Sequence, residues 1–260
     1  MPYEACSLLI YKQGVNMPDW CKNKLTVCGS KAEIDAIKPF LFGKHSRAGE
    51  LEVDFNALEV CPESLSIPFT DDATRAQILL MLPEDTLLRE SFIQGHFNDE
   101  DANVAHLLME IKHHNIKTIG ELIKWFMEDN EREFKHCLDL KLGRQYVANL
   151  IQFGQETGHD WHEKHWGINL NAETRLIDDE GKEVICFFDT TCSEPKVWFE
   201  LLCQRFPHVE WVFEYFSING FYAGKIHFKD KIFSYQYFSE YSEVGNFAYD
   251  VFDYIDGDEK

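Results

Sequence analysis

The chain has 260 residues, 45 acidic against 25 basic side chains, a formal charge of −20, and a composition that is 45% hydrophobic and 14% aromatic. That much apolar surface is enough for a real core and excludes a disordered chain, while the acidity excludes a protein that holds phosphate backbones by general attraction. No apolar run reaches the roughly 18–20 residues of a membrane helix, and eight cysteines without a CxxC pair read as reduced, mostly buried thiols, so a cytoplasmic protein is expected.

The charge is uneven. Residues 1–60 are near neutral, with seven basic against eight acidic side chains; residues 61–165 carry ten against nineteen, and residues 166–260 eight against eighteen.

Residues 1–16 carry a small apolar patch at Leu8, Leu9 and Ile10 and are read as an N-terminal extension, either an added strand or a loose arm. Residues 17–62 read as the first half of a domain. A strand is predicted from Lys24 to Cys28, and Ser30-x-x-Glu33 forms a capping box for a helix through Ile34, Ile37 and Leu41 whose last turn Pro39 distorts. Leu51, Val53 and Phe55 alternate as a second strand ending at Cys61-Pro62, which completes a β-α-β unit.

From residue 63 to 160 the period changes to 3.6 and about four helices are expected. Val104, Leu107, Leu108 and Ile111 make one stripe. Thr118-x-x-Glu121 caps a second, with Ile119, Leu122, Ile123 and Phe126, and another runs through Phe134, Cys137, Leu138, Tyr146 and Leu150.

Residues 161–239 answer the first half. Val184, Cys186 and Phe188 alternate with Glu183, Ile185 and Phe187 in a strand covered on both faces. A helix follows, opened by Pro195, with Ser193 or Thr191 as its cap and Trp198, Leu201, Leu202 and Phe206 at helical spacing. A strand from Val209 to Ser217 then meets Asn219-Gly220, a dipeptide suited to the positive φ angles of a type I′ hairpin turn, and Tyr222 to Phe228 returns. The fold class is therefore α+β: a split ferredoxin-like β-α-β-β-α-β sandwich with a large helical insertion and an extra C-terminal β-hairpin. Residues 240–260 form an acidic aromatic tail.

MPDWCKNKLTVCGS (Met17–Ser30), FNALEVCPESL (Phe55–Leu65), HWGINLNAE (His165–Glu173) and FDTTCSEP (from Phe188) occur in an order that resembles a family of phage- and plasmid-borne, YubB-like proteins with a ferredoxin-like domain. Its members open near MPNWC, carry an NWGTKW-like motif and continue with an FDTAWSPP-like turn. Here Ile168, Asn169 and Leu170 replace Thr, Lys and Trp of the second motif, and Cys192 replaces the Trp of the third. The resemblance implies a mobile-element accessory protein in a bacterial cytoplasm, and it carries over no catalytic residue.

Few chemical motifs stand out. His159, His162 and His165, spaced by three with Asp160 and Glu163 alongside, are weak candidates for a metal site, set against solvated histidines at a helix end. Asp178-Asp179-Glu180-Gly181 lacks the ligand spacing of a calcium loop and reads as a polar hairpin turn. Cys186, Cys192 and Cys203 offer a cysteine nucleophile only in the sense that any chain of this size does. Phe233, Tyr235 and Tyr237 on one strand and Trp211, Phe213 and Tyr215 on another could stack single-stranded RNA, but the surrounding charge favours a packed core or a protein-binding patch. The tail sets Glu240, Glu243, Asp250, Asp253 and Asp256 among aromatics including Phe252 and Tyr254, and these seven are the candidate partner-binding residues.

The expected function is that of a non-enzymatic protein with no cofactor. It would bind and inhibit a host nucleic-acid-acting defence complex, of CRISPR or restriction type, by presenting acidic groups to a basic nucleic-acid-binding surface, without itself binding nucleic acid or membrane. The alternatives are a metal-dependent hydrolase centred on the three histidines and a nucleic-acid-binding regulator.

Overall fold

The computed structural model describes residues 19–44, 51–97 and 102–254, and residues 1–16, read above as an extension, lie outside them. In chain order the elements are β1 (Trp20–Cys28), α1 (Lys31–Leu41), β2 (Phe42–Lys44), β3 (Leu51–Val53), α2 (Asp71–Leu80), α3 (Glu90–Phe97), α4 (Ala102–His113), α5 (Ile119–Met127), α6 (Asn130–Lys135) and α7 (Leu140–Phe153). There follow α8 (Gly158–Trp166), β4 (Glu173–Asp179), β5 (Glu183–Thr191), α9 (Lys196–Arg205), β6 (Glu210–Ser217), β7 (Tyr222–Lys229), β8 (Ile232–Phe238) and α10 (Tyr241–Phe252). They fall into two compact units: one takes the described residues before Pro62 and those from His162 onward, the other is Pro62–Trp161.

The first unit is built on a six-stranded sheet in the order β4-β5-β1-β6-β7-β8, with every neighbouring pair antiparallel. Strands β1 and β4 flank β5, and β5 and β6 flank β1, so two β-α-β units interleave as a ferredoxin-like fold requires. The hairpin β7-β8 extends the sheet on the β6 side.

The register places Ile177, Cys186, Leu25, Phe213, Ile226 and Tyr235 in one row across all six strands, on the face that α9 covers. There the Phe199 ring stacks on Phe213 at 4.9 Å, and Trp198 meets Phe188 edge-on at 6.1 Å. Trp198, Phe199, Leu202 and Cys203 of α9 and Ile34, Ile37 and Leu41 of α1 are buried. Each large apolar side chain of this kind contributes roughly 1.5–3 kcal/mol. Asn23 is buried in the same face without loss, because its Nδ2 donates to the Cys21 carbonyl at 2.9 Å and to Thr190 Oγ1 at 2.8 Å.

Several sequence readings are corrected here. Leu51–Val53 is not a strand of the main sheet: it pairs with Phe42–Lys44 in a separate two-stranded ribbon. Phe55 lies in a 3-10 turn, because the Asp54 side chain accepts from the Asn56 N–H and caps the turn. The second strand of the split unit is instead β4, whose polar outer positions hide its alternation. Neither Ser193 nor Thr191 caps α9, which starts after Pro195 with no side-chain cap.

The turn at Asn219-Gly220 is a four-residue loop with positive φ at Phe221 rather than a type I′ pair. Gly220 is needed for closeness, since a Cβ there would sit 2.8 Å from Ser217 Oγ and 2.9 Å from the Tyr222 ring. The two-residue turn with both central residues left-handed is Asp230-Lys231, at φ 52 and 66, between the paired Lys229 and Ile232.

The second unit is helical, with a core of Leu79, Ile93, Leu107, Ile119, Leu122, Phe126, Leu138 and Leu140 among others. Gly143 lets α7 meet α2 closely, since a Cβ there would lie 2.8 Å from that of Ala76. The capping boxes of Ser30 and Thr118 form as read from sequence. The stripe from Phe134 to Leu150 is two helices, because Cys137 takes a left-handed φ of 52 and Asp139 caps a new start, leaving Phe134 exposed.

Candidate functional site

Two groups of carboxylates in the first unit are held in contrasting ways, and the sheet face opposite α9 holds the first. Along it Glu214 takes Lys24 at 3.6 Å and Lys225 at 3.0 Å, Glu210 takes His227 at 2.8 Å and Lys229 at 2.9 Å, and Asp189 takes Arg175 at 2.7 Å. Lys229 first, then His227, holds the Glu210 carboxyl below the usual range.

One end of this face is apolar, where Phe216, Ala223 and Phe238 lie side by side on β6, β7 and β8. Helix α10 docks there. Val244, Phe247, Ala248 and Phe252 recur at helical spacing and form a cluster with Phe216 and Ala223, to which Ile218, Phe221 and Tyr254 add their edges. The Phe216 ring meets Tyr254 at 4.9 Å and Phe252 at 6.5 Å, Phe247 meets Phe238 at 5.0 Å, and Tyr241 stacks on Phe221 at 4.6 Å. The segment read as a tail is thus a packed element as far as Tyr254. Its C-terminal end closes with Asp253 in the left-handed region at φ 52, donating its N–H to the Tyr249 carbonyl at 3.0 Å.

The outer surface of α10 holds the second group. Glu240, Glu243, Asp250 and Asp253 are exposed, and no basic residue occurs from Ser239 to Tyr254. None of the four makes a salt bridge or hydrogen bond through its side chain among the described residues. Tyr241 and Tyr249 flank them, 66% and 57% exposed. Of the predicted contact residues, then, Glu243 and Asp250 are exposed on α10, Glu240 and Asp253 are exposed at its two ends, and Phe252 and Tyr254 turn inward; Asp256 lies outside the described residues.

The histidines take different partners. His159 Nδ1 faces Asp160 at 3.5 Å, His162 stacks flat on Trp166 with its Nδ1 3.0 Å from the Asn169 carbonyl, and His165 Nδ1 meets Glu59 at 2.8 Å. Among the described residues no three His, Cys, Asp or Glu side chains are arranged to hold a metal. The motif-bearing segments around them interlock instead: Asn171 accepts from the Phe55 N–H at 2.9 Å and donates to Asp54 at 2.8 Å, while the Phe55 ring sits 5.6 Å from Trp166 and 4.6 Å from Trp198.

Burial pushes the Cys186 thiol up to about 12 and raises Cys203 further, so neither supplies a thiolate. Cys192 occupies a left-handed turn, its N–H bonded to the Asp19 carbonyl. Trp211 and Phe213 are core, whereas Tyr235 and Tyr237 stay exposed. Asp178 and Asp179 are the last paired residues of β4, and the hairpin turn to β5 begins at Glu180, whose N–H bonds the Glu183 carbonyl at 3.0 Å.

Sequence reading missed a half-buried pair just before α9. Tyr222 donates to Glu194 Oε2 at 3.1 Å, and desolvation raises the Glu194 carboxyl while burial and that neighbouring charge push the Tyr222 phenol up. The two residues are too far apart in the chain for any motif to link them. A cleft of about 150 Å³ lined by Glu33, Ala36 and Arg205 to Val209 is smaller than the roughly 300 Å³ at which small-molecule sites begin.

No family model matches the chain, and no curated protein matches it. Among solved structures, the chain is similar to a protein api92 from Yersinia pseudotuberculosis, assigned to the family model DUF1281, at 12% identity and a TM-score of 0.39 over 86% of this chain and 99% of that one. A likeness that loose bears on neither fold nor function. No helix among the described residues is long and apolar enough to cross a membrane.

Proposed function

We propose that this is a non-enzymatic binding protein that uses the outer surface of α10 to occupy a basic, nucleic-acid-binding surface of a host defence complex, of CRISPR or restriction type, in a bacterial cytoplasm. The observation that supports it is the contrast in pairing: Glu214, Glu210 and Asp189 on the sheet have cationic partners, while among the described residues Glu240, Glu243, Asp250 and Asp253 have none and stand near two exposed tyrosines. Unpaired surface carboxylates steer association with a positive surface, and tyrosine gives contact area at small entropic loss. The phage- and plasmid-borne family that the sequence motifs resemble supplies the mobile-element part of the reading.

The test begins with capture of the partner on tagged full-length protein, followed by purification of that partner and measurement of association rate against salt. Glu243→Gln/Asp250→Asn/Asp253→Asn should slow association about tenfold at low salt and flatten its salt dependence, and nucleic acid should compete with the wild-type protein. Equal rates and equal salt slopes for both proteins, or a partner whose contact surface is acidic, would end this reading.

A further inference from the structure

The two edges of the main sheet are built differently. The β4 edge is guarded: Glu173, Arg175, Asp178 and Asp179 are charged, the register shifts between Thr174 and Leu176, and the β3 residue Val53 donates its N–H to Thr174 Oγ1 at 2.8 Å. Charge, a bulge and a covering strand are the ordinary defences of an edge.

Among the described residues the β8 strand has no charge of its own, no bulge and no covering strand; the charged groups that reach it are Lys196 of α9, 5.2 Å over the Tyr235 ring, and Glu200 beside it. Its sequence, Ile232-Phe233-Ser234-Tyr235-Gln236-Tyr237-Phe238, contains no charged residue and no proline, whereas every other strand among the described residues contains at least one charge. Its register with β7 runs without a shift over all seven residues. Ile232, Tyr235 and Tyr237 are 69%, 54% and 64% exposed, and no hydrogen bond beyond the β7 ladder reaches the β8 backbone among the described residues.

We propose that β8 pairs antiparallel with β8 of a second copy of this chain, joining the two sheets edge to edge. Charge selects the occupant. Two molecules of formal charge −20 repel over most of their surface, and a strand free of charge is where identical copies can approach. The strand is also self-complementary. With the two-fold axis at Tyr235, Phe233 of one copy faces Tyr237 of the other and Tyr235 faces Tyr235, so aromatic meets aromatic on the α9 side of the sheet. Ser234 then faces Gln236 and Ile232 faces Phe238 on the opposite side. Directly opposed aromatic pairs of this kind stabilise antiparallel ladders.

The test is sedimentation of the full chain across a concentration series at low and high salt. Wild type should show a monomer–dimer equilibrium that strengthens with salt, because screening weakens the repulsion between copies. Tyr235→Lys puts like charges across the axis at an exposed position and should leave only monomer at concentrations where wild type is dimeric. As an arm that does not depend on that variant folding, Tyr235→Cys should form a disulfide-linked dimer under mild oxidation. Ile232→Cys should not, since the proposed register holds its two copies roughly 20 Å apart; wild type, with its own cysteines, sets the background. A wild-type monomer at every concentration, a dimer untouched by Tyr235→Lys, or crosslinking at Ile232→Cys rather than Tyr235→Cys would overturn the proposal.

Discussion

Glu214 and Asp250 are both carboxylates of one compact unit, and they are held in opposite ways. Glu214, 8% exposed, lies between Lys24 and Lys225 on the sheet, where its charge is needed to satisfy theirs. Asp250 stands on the outside of α10 with no partner among the described residues, near the helix end where the backbone dipole is already negative. One kind of carboxylate belongs to the fold. The other is tolerated by it, and a group that folding only tolerates is a group available for binding.

The apolar side of α10 ties these two populations together, so its loss has the largest expected effect. Phe216→Ala removes the buried ring against which Phe252 and Tyr254 rest and should lower stability by about 3–5 kcal/mol. Amide exchange across Tyr241–Phe252 should rise towards that of an isolated helix, since a helix of this length is marginal without packing. Protection of those amides equal to wild type would mean that α10 does not depend on the sheet for its order.

Next comes the paired population. Glu214→Gln leaves two lysines facing each other across β6 without their carboxylate and should cost about 1–3 kcal/mol by denaturant titration. Adding Lys225→Met should recover part of that loss. A neutral single variant would place Glu214 with the screened surface pairs, and the distinction between the two populations would collapse.

How far the sequence anticipates this arrangement depends on which force sets each element. Capping boxes at Ser30 and Thr118 are local chemistry and form where they are read, and the turn read over Asp178–Gly181 forms two residues later, after Asp179. Strand β4 escapes notice because an edge strand needs charge on its outer positions, so Glu-Thr-Arg-Leu-Ile-Asp-Asp carries little alternation. Helix α10 shows its period at Val244, Phe247, Ala248 and Phe252, yet the acidic residues between them make the segment look like a solvated tail. The aromatic residues there are explained by Phe216 and Phe238, which come to flank Ala223 only once β6, β7 and β8 pair. The same holds for Glu194 and Tyr222, which only the return of the chain through α9 and β6 brings together.

The smallest effect on stability tests the functional reading most directly. Asp250 and Asp253 sit in the last turn and at the cap of α10, the negative end of the helix dipole, where each carboxylate is unfavourable by about 0.3–1 kcal/mol. Asp253 is moreover in the left-handed region, a conformation that asparagine also accepts among non-glycine residues. Asp250→Asn/Asp253→Asn should therefore stabilise the protein, by about 1 kcal/mol in denaturant titration at low salt, with the gain shrinking as salt is added. The same exchange should slow association with the captured partner. Opposite signs for folding and binding separate a contact surface from a solubilising one, because charges present only for solubility have no partner to lose. A variant that is less stable than wild type would show that these carboxylates have a structural partner after all; one that is more stable and associates at the wild-type rate would leave α10 as packing alone.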